Sequence, residues 1–353
     1  MESTRKLENV CLIRWLAALF VMTGHMYSIM LSNPPLLLWK PIQKIGIYCF
    51  FVLGGYLVTG SFARDQKLRN FYIKRGIRIF PPLILFVLVA AVIIGPMIST
   101  LSAEDYFTHP AFRKYLLNMG LYINYVLPGV FENNPYPNAV NGSLWSLPVE
   151  VFMYFLVPIY YKLSKKSYKI GVSITLFACV IAFIKNVYFP EFRYVIYAVD
   201  LGPLIEHVPF YFIGMMVYIL EENKKLSSKI NPAYAIVVVF VSLMFVFGTE
   251  AYITILTFIC VPFFVFGVAS IDKFWITKLL SKFEVTYGIF LYGFFIQQLI
   301  IYFNYKYNWQ EPFIILHLSA VIITIGFAIF SYFFVEKPLI NWSRKLLKKV
   351  IKK

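Results

Sequence analysis

Apolar runs of roughly 18 to 25 residues recur from one end of this chain to the other, and each is long enough to cross a hydrocarbon core of about 30 Å as a helix. With 60% hydrophobic and 14% charged residues over 353 positions, too little polar side chain remains to cover a water-soluble globule, so lipid is part of the solvent the chain needs. Strands of an outer-membrane barrel would be half as long and would alternate apolar with polar, which these runs do not. The runs predict an all-α, polytopic transmembrane helix bundle of about ten spans, near 10–31, 42–63, 79–98, 144–161, 170–189, 204–220, 231–248, 251–270, 284–303 and 312–334.

Ten spans put both termini on one side. Arg64, Lys67, Arg69, Lys74 and Arg75, then Lys162, Lys165, Lys166 and Lys169, then Lys224, Lys225 and Lys229, then Lys273, Lys278 and Lys282 fall in alternate connections. The bias of lysine and arginine marks those connections and both termini as cytoplasmic. Residues 1–341 read as one membrane domain. Residues 342–353 read as a basic cytoplasmic tail whose Arg344, Lys345, Lys348, Lys349, Lys352 and Lys353 suit anionic lipid headgroups. Arg5 and Lys6 precede an apolar run that continues through Thr23 and His25 without a small-residue cleavage site, which predicts a retained first span.

The net charge of +16 is dispersed between the apolar segments, with no arginine- or lysine-rich domain standing apart, so the pattern argues against a nucleic-acid partner. Cys11, Cys49, Cys179 and Cys260 lie singly in apolar stretches and read as small hydrophobes, with neither metal-ligand spacing nor a disulfide framework. There is no internal repeat and no soluble domain. One outer connection is long, 99–143, and carries Asn133, Asn134, Pro135, Pro137, Asn138 and Gly142. Its moderately apolar stretch 113–130 is expected to form a re-entrant or interfacial helix.

Ionisable groups inside spans are costly and are the first candidates for function. Arg14 and His25 are 11 residues apart, which places both on one face of the first helix, about 16 Å apart along its axis. With the N-terminus inside, His25 is expected about 8 Å below the outer surface, and Glu150, six residues into the fourth helix, about 9 Å below it. A carboxylate beside that imidazole would fix its tautomer and raise its basicity, as a general base requires. The structural alternatives are a histidine bonded to a neighbouring helix and an arginine snorkelling to the inner surface. Arg75 and Arg78 lie in Lys74-Arg75-Gly76-Ile77-Arg78, read as immediately preceding the third span, with Pro81-Pro82 just inside it. Three residues apart on a helical turn they point one way and suit a phosphate, although flanking positive charge is the plainer reading of such a cluster.

Arg14 to His25 forms an Arg-x10-His motif, Arg75 to Arg78 an Arg-x-x-Arg motif, Ser143-Leu-Trp-Ser-Leu-Pro-Val-Glu150 a Trp-to-Glu segment, and Phe334-Val-Glu-Lys-Pro338 ends the last span. In these four motifs, in this order, the chain resembles the bacterial acyltransferase family 3, membrane proteins that O-acylate carbohydrates. Phe50-Phe-Val-Leu-Gly-Gly-Tyr56 and Tyr287-Gly-Ile-Phe-Leu-Tyr292 look like further signatures.

The resemblance implies an acyl-CoA donor, acetyl-CoA, with its phosphates at Arg75 and Arg78 and no metal. It further implies His25 as base or transiently acylated nucleophile, Glu150 orienting it, and Arg14 holding the donor or neutralising charge. Trp145 and Tyr154 would border a sugar pocket. The acceptor would be a hydroxyl of a cell-surface or exported glycan, or of a lipid-linked sugar, at a bacterial cytoplasmic membrane. Two departures matter. Many members carry a histidine shortly after the Tyr287–Tyr292 signature, where this chain has Gly293, Gln297 and Gln298. Some carry a fused extracytoplasmic domain; without one, the membrane domain is expected to complete transfer or to pass the acyl group to a separate extracytoplasmic partner. The rival readings are a transporter or flippase using the same polar residues as a path, and a scaffold or sensor without chemistry.

Overall fold

A computed structural model describes residues 7–226, 249–271, 275–283 and 285–342. The expected span at 231–248 and the basic tail beyond Trp342 lie outside the described residues. The helices are α1 (Val10–Ile29), α2 (Ile42–Arg64), α3 (Leu68–Leu88), α4 (Ala103–Thr108), α5 (Pro110–Leu116), α6 (Ser146–Lys166), α7 (Tyr168–Tyr188), α8 (Leu201–Glu222), α9 (Glu250–Ser270), α10 (Trp275–Leu280), α11 (Thr286–Lys306) and α12 (Phe313–Ser331). A π-helical turn, Val89–Ile94, carries α3 on to Ile98, and another, Tyr332–Glu336, carries α12 on to Trp342. Two-residue strand pairs, Leu36–Leu37 with Lys40–Pro41 and Val195–Ile196 with Val199–Asp200, close two turns.

The chain is thus an all-α polytopic bundle. Among the described residues eight helices are long and apolar enough to cross a membrane: α1, α2, α3, α7, α8, α9, α11 and α12. The 21-residue α6 matches them in length, but Glu150, two prolines and several tyrosines lower its hydropathy. The core contact is between α2 and α8, with α1 on one flank of α2 and α6 on another, while α11 packs on α1 and α12. The Phe50–Tyr56 signature explains the tightness of the first contact. A side chain at Gly54 or Gly55 would run into Tyr211 of α8, so the two glycines let the backbones meet as small residues do between membrane helices.

Helix α3 corrects the expected start at 79. It begins at Leu68 and runs unbroken through Pro81-Pro82, so Arg75 and Arg78 lie within the helix and not before it. At 31 residues to Ile98 it extends for about 46 Å, well beyond the hydrocarbon core, and its charged first turns occupy the excess.

The long outer connection is folded onto the bundle. Tyr106 donates to the Ala91 carbonyl at 2.7 Å, within the π-helical turn. Asn118 is fully buried and bonds the carbonyls of Tyr115 and Asn124 and the Asn124 amide. The helix expected across 113–130 ends early: α5 and a 3-10 turn stop at Gly120, and a left-handed Leu121 redirects the chain.

From there the connection descends along α11. Asn134 bonds Gln298, and Gln298 donates to the carbonyls of Tyr136 and Ala139. Further along, Asn141 donates to the Leu291 carbonyl at 2.7 Å and Ser143 to the Phe290 carbonyl at 3.2 Å. Gln298 to Phe290 is about 12 Å of helix rise, so α6 begins far below the outer end of α11.

Candidate functional site

A cavity enclosing about 920 Å3 of atom-free space, part of it open to the outside, is walled by α1, α2, α3, α6, α8 and α11. Arg14 reaches it from α1, Arg75 and Arg78 from α3, and Glu150 and Tyr154 from α6. Three guanidinium groups and one carboxylate therefore face one interior space.

The i, i+3 spacing on α3 puts Arg75 and Arg78 on one face, as the sequence predicts. The Arg75 guanidinium lies 6.0 Å from the Phe71 ring and 5.9 Å from the Tyr154 ring, contacts that hold its plane but offer no lone pair. Its Nε is buried without a hydrogen-bond partner, and neither Arg75 nor Arg78 is paired with a carboxylate among the described residues. The nearby Lys74 is taken up by Asp65 at 2.7 Å. Glu150 accepts a hydrogen bond from Tyr154, one turn further along α6.

His25 is placed elsewhere. It does not line this cavity; its ring meets Phe294 of α11 edge-on at 5.3 Å. No hydrogen bond joins it to Glu150 among the described residues, so the expected pairing is not formed. The reason is depth. The estimate for Glu150 assumed that α6 starts at the outer surface, whereas the descending connection starts it near the level of Phe290. Running downward from there, α6 carries Glu150 on the order of 10 Å below the Phe294 level at which His25 rests. Phe294 also fills the space beside Gly142, where a Cβ would come within 2.7 Å of its ring, so one aromatic side chain touches both His25 and the descending connection. Neither ring nitrogen of the half-buried His25 bonds a described protein group.

Of the two aromatics expected at a sugar pocket, Tyr154 lies in the cavity beside Arg75, and Trp145 does not line it. Trp145 packs edge-on against His207 at 5.1 Å. Gln297 and Gln298 are buried and tie α11 to the Met22 carbonyl of α1 and to the descending connection.

Sequence reasoning gave no site role to Ser146, Tyr211, Thr286 and Tyr287, which also line the cavity, although Ser146 and Tyr287 lie within the motifs it singled out. It also passed over Glu206 and His207, buried in α8, where Glu206 accepts from Lys44 at 2.8 Å and from Tyr48. The rule that selected Arg14 and His25 selects these two as well, since they are ionisable residues inside a span. Among the described residues no group of three or more histidine, cysteine or carboxylate side chains could hold a metal ion.

Comparison with known proteins bears on what this arrangement does. An O-acetyl transferase of Shigella phage Sf6 is 25% identical over 294 residues, covering 82% of this chain and 84% of that protein. Nodulation protein 10 of Rhizobium leguminosarum bv. viciae is 26% identical over 178 residues, 46% of this chain and 47% of that protein. A regulator of hypoxia-inducible factor 1 from Caenorhabditis elegans is 23% identical over 203 residues, 50% of this chain and 38% of that protein. No solved structure matches. The family model described as an acyltransferase domain matches residues 8–335, which takes in every wall of the cavity, and this multi-pass membrane protein belongs to that acyltransferase family.

Proposed function

We propose that the protein is a membrane O-acyltransferase that moves an acetyl group from cytoplasmic acetyl-CoA to a hydroxyl of a cell-surface or exported glycan. The observation that carries this reading is the pair Arg75 and Arg78, unpaired with any described carboxylate on an interior cavity. The buried, unpartnered Nε of Arg75 is costly, and a diphosphate placed between the two guanidinium groups would offset that cost with charged, forked hydrogen bonds. Arg14 adds a third positive group to the same wall. Both α1 and α3 start on the side of the basic connections, which positive-inside bias makes cytoplasmic, where acetyl-CoA is available.

His25 lies further along the α1 face that carries Arg14, about 16 Å away. A donor held by its phosphates would extend its pantetheine arm in that direction. His25 then takes the proton of the acceptor hydroxyl as that oxygen bonds to the thioester carbonyl carbon; the carbon–sulfur bond breaks, and the proton passes to the departing thiolate. Glu150 serves the donor cavity and holds Tyr154 through its hydrogen bond, and the two belong with the donor. Trp145, outside the cavity lining, is assigned to the acceptor side. The name of the phage relative, an O-acetyl transferase, supports acetyl as the group moved.

The test is turnover of radiolabelled acetyl-CoA by the purified protein in lipid nanodiscs, with and without a glycan extract. Wild type should release coenzyme A and label the glycan. His25→Ala should abolish turnover while acetyl-CoA binding remains, because its role is in the transition state. A wild-type protein that neither binds nor consumes acetyl-CoA overturns the proposal, and an active His25→Ala removes His25 from the chemistry.

A further inference from the structure

Among the hydrogen-bonding groups on the cavity wall, one on α8 is left without a partner. Tyr211 of α8 lines the cavity with Ile47, Phe51 and Gly54, and its ring meets Phe51 edge-on at 6.2 Å. Only 2% of the residue is exposed, and its hydroxyl is buried without a hydrogen-bond partner. A phenol in that condition is expensive. An unsatisfied buried hydroxyl costs about 1–3 kcal/mol, a cost that a phenylalanine ring of the same shape would not carry. The ring is also held in place, since Gly54 and Gly55 of α2 pack directly on Tyr211 and the ideal Cβ of Gly54 would lie 3.1 Å from its edge.

The group it awaits is an oxygen acceptor. Phe51 and Gly54, against which the Tyr211 ring packs, carry no charge and leave room for a neutral carbonyl, whereas phosphate charge is met by the guanidinium groups. Resting on the acyl-CoA reading above, we infer that Tyr211 is a donor-binding residue whose hydroxyl donates a hydrogen bond to a carbonyl oxygen of the acyl-pantetheine arm. The cavity then reads its donor twice, by phosphate at Arg75 and Arg78 and by carbonyl at Tyr211, and a nucleotide without the arm makes only the first set of contacts.

Tyr211→Phe removes the oxygen and keeps the shape. Equilibrium binding to the full-length protein in nanodiscs, with acetyl-CoA and with adenosine 3′,5′-bisphosphate as probes, separates the two sets of contacts. Tyr211→Phe should bind acetyl-CoA about 3- to 10-fold more weakly, the worth of one neutral hydrogen bond, and the bisphosphate as wild type does. Arg75→Ala should weaken both. Retained bisphosphate binding also shows that the variant is folded. If Tyr211→Phe does not accumulate, Gly54→Ala, which sets a methyl group against the Tyr211 ring, should likewise weaken acetyl-CoA and spare the bisphosphate. Unchanged acetyl-CoA affinity, or equal losses for both probes, overturns the role of Tyr211 while leaving the donor reading intact. A wild-type protein that binds neither probe overturns the donor reading itself.

Discussion

Replacing Arg75 by alanine separates a ligand-binding arginine from a structural one. In the resting protein Arg75 contributes two ring contacts, to Phe71 and Tyr154, worth about 0.5–1 kcal/mol each. Its buried Nε has no partner, so the substitution breaks no hydrogen bond at that atom and relieves a desolvated charge. These effects oppose each other, and thermal stability should change by no more than about 1 kcal/mol. Donor binding should respond very differently. A charged hydrogen bond to phosphate is worth about 1.5–3 kcal/mol, so the dissociation constant of acetyl-CoA should rise roughly 10- to 160-fold. Arg78→Ala should behave alike. Arg75→Lys keeps the charge but loses the fork and should fall between wild type and alanine. The assay is calorimetric titration of acetyl-CoA in nanodiscs, with melting recorded on the same samples. Unchanged affinity in both alanine variants would return the pair to flanking positive charge, and a large stability loss with Arg75→Ala would show that the ring contacts are its purpose.

Three other perturbations test the geometry. Glu150→Gln keeps the shape of the Tyr154 contact but removes a negative charge from the cavity proposed to take the donor phosphates; were a phosphate ~8 Å away, at an effective dielectric near 20, the lost repulsion would be about 2 kcal/mol. Titration should show acetyl-CoA binding up to roughly 30-fold tighter, and lost turnover at unchanged affinity would instead restore Glu150 as the carboxylate acting on His25. Gln298→Leu leaves the carbonyls of Tyr136 and Ala139 without their donor and Asn134 with the backbone carbonyl of residue 298 alone, which should cost about 2–3 kcal/mol and lower the melting temperature; an unshifted melt would refute the tie. Asp65→Asn tests the α2–α3 corner, where the hydrogen bond from Lys74 holds the Asp65 carboxyl below the usual carboxylate range. A depressed folded value stabilises above the unfolded value of about 3.9 and loses that contribution as pH falls through the folded value, so Asp65→Asn should be less stable than wild type at pH 7 and equal to it in acid. Since the pair is partly exposed, the difference should stay under about 1 kcal/mol, and a pH-independent difference would refute the ionic account.

Much of the bundle was legible because membrane spanning is a length requirement that hydropathy reads directly. The clustering on α3 was legible too, since a three-residue spacing fixes a shared face wherever the helix begins. That is why Arg75 and Arg78 line the cavity together although the helix starts 11 residues before the expected 79. The apolar run begins only at Ile79, so hydropathy hides the charged turns from Leu68 onward, and Pro81-Pro82 do not interrupt the helix because a membrane helix tolerates them when its surroundings compensate. The His25–Glu150 pairing failed for a different reason. Counting residues converts to depth only when the helix end lies at the surface, and the contacts that sink the start of α6, from Asn141 and Ser143 to α11, join residues about 150 apart in sequence. Periodicity holds no information at that range. Tyr211 carried no local signal either, because what distinguishes it from Phe210 and Phe212 is the absence of a partner, a property of the folded surroundings alone.

The descending connection also sets an order of assembly. Backbone that is not helical cannot rest in lipid, because its amides and carbonyls have no water to bond; it needs protein beside it. Residues 134–143 find that protein in α11, which leaves the ribosome some 150 residues after them. Until α11 has been inserted, the connection has no place at depth and α6 has no fixed upper end. The cavity wall supplied by Ser146, Glu150 and Tyr154 is therefore completed only after most of the chain has been synthesised. Nascent chains that stop before α11 would carry Arg14, Arg75 and Arg78 without the cavity those residues line, so the pocket closes only when translation has nearly ended.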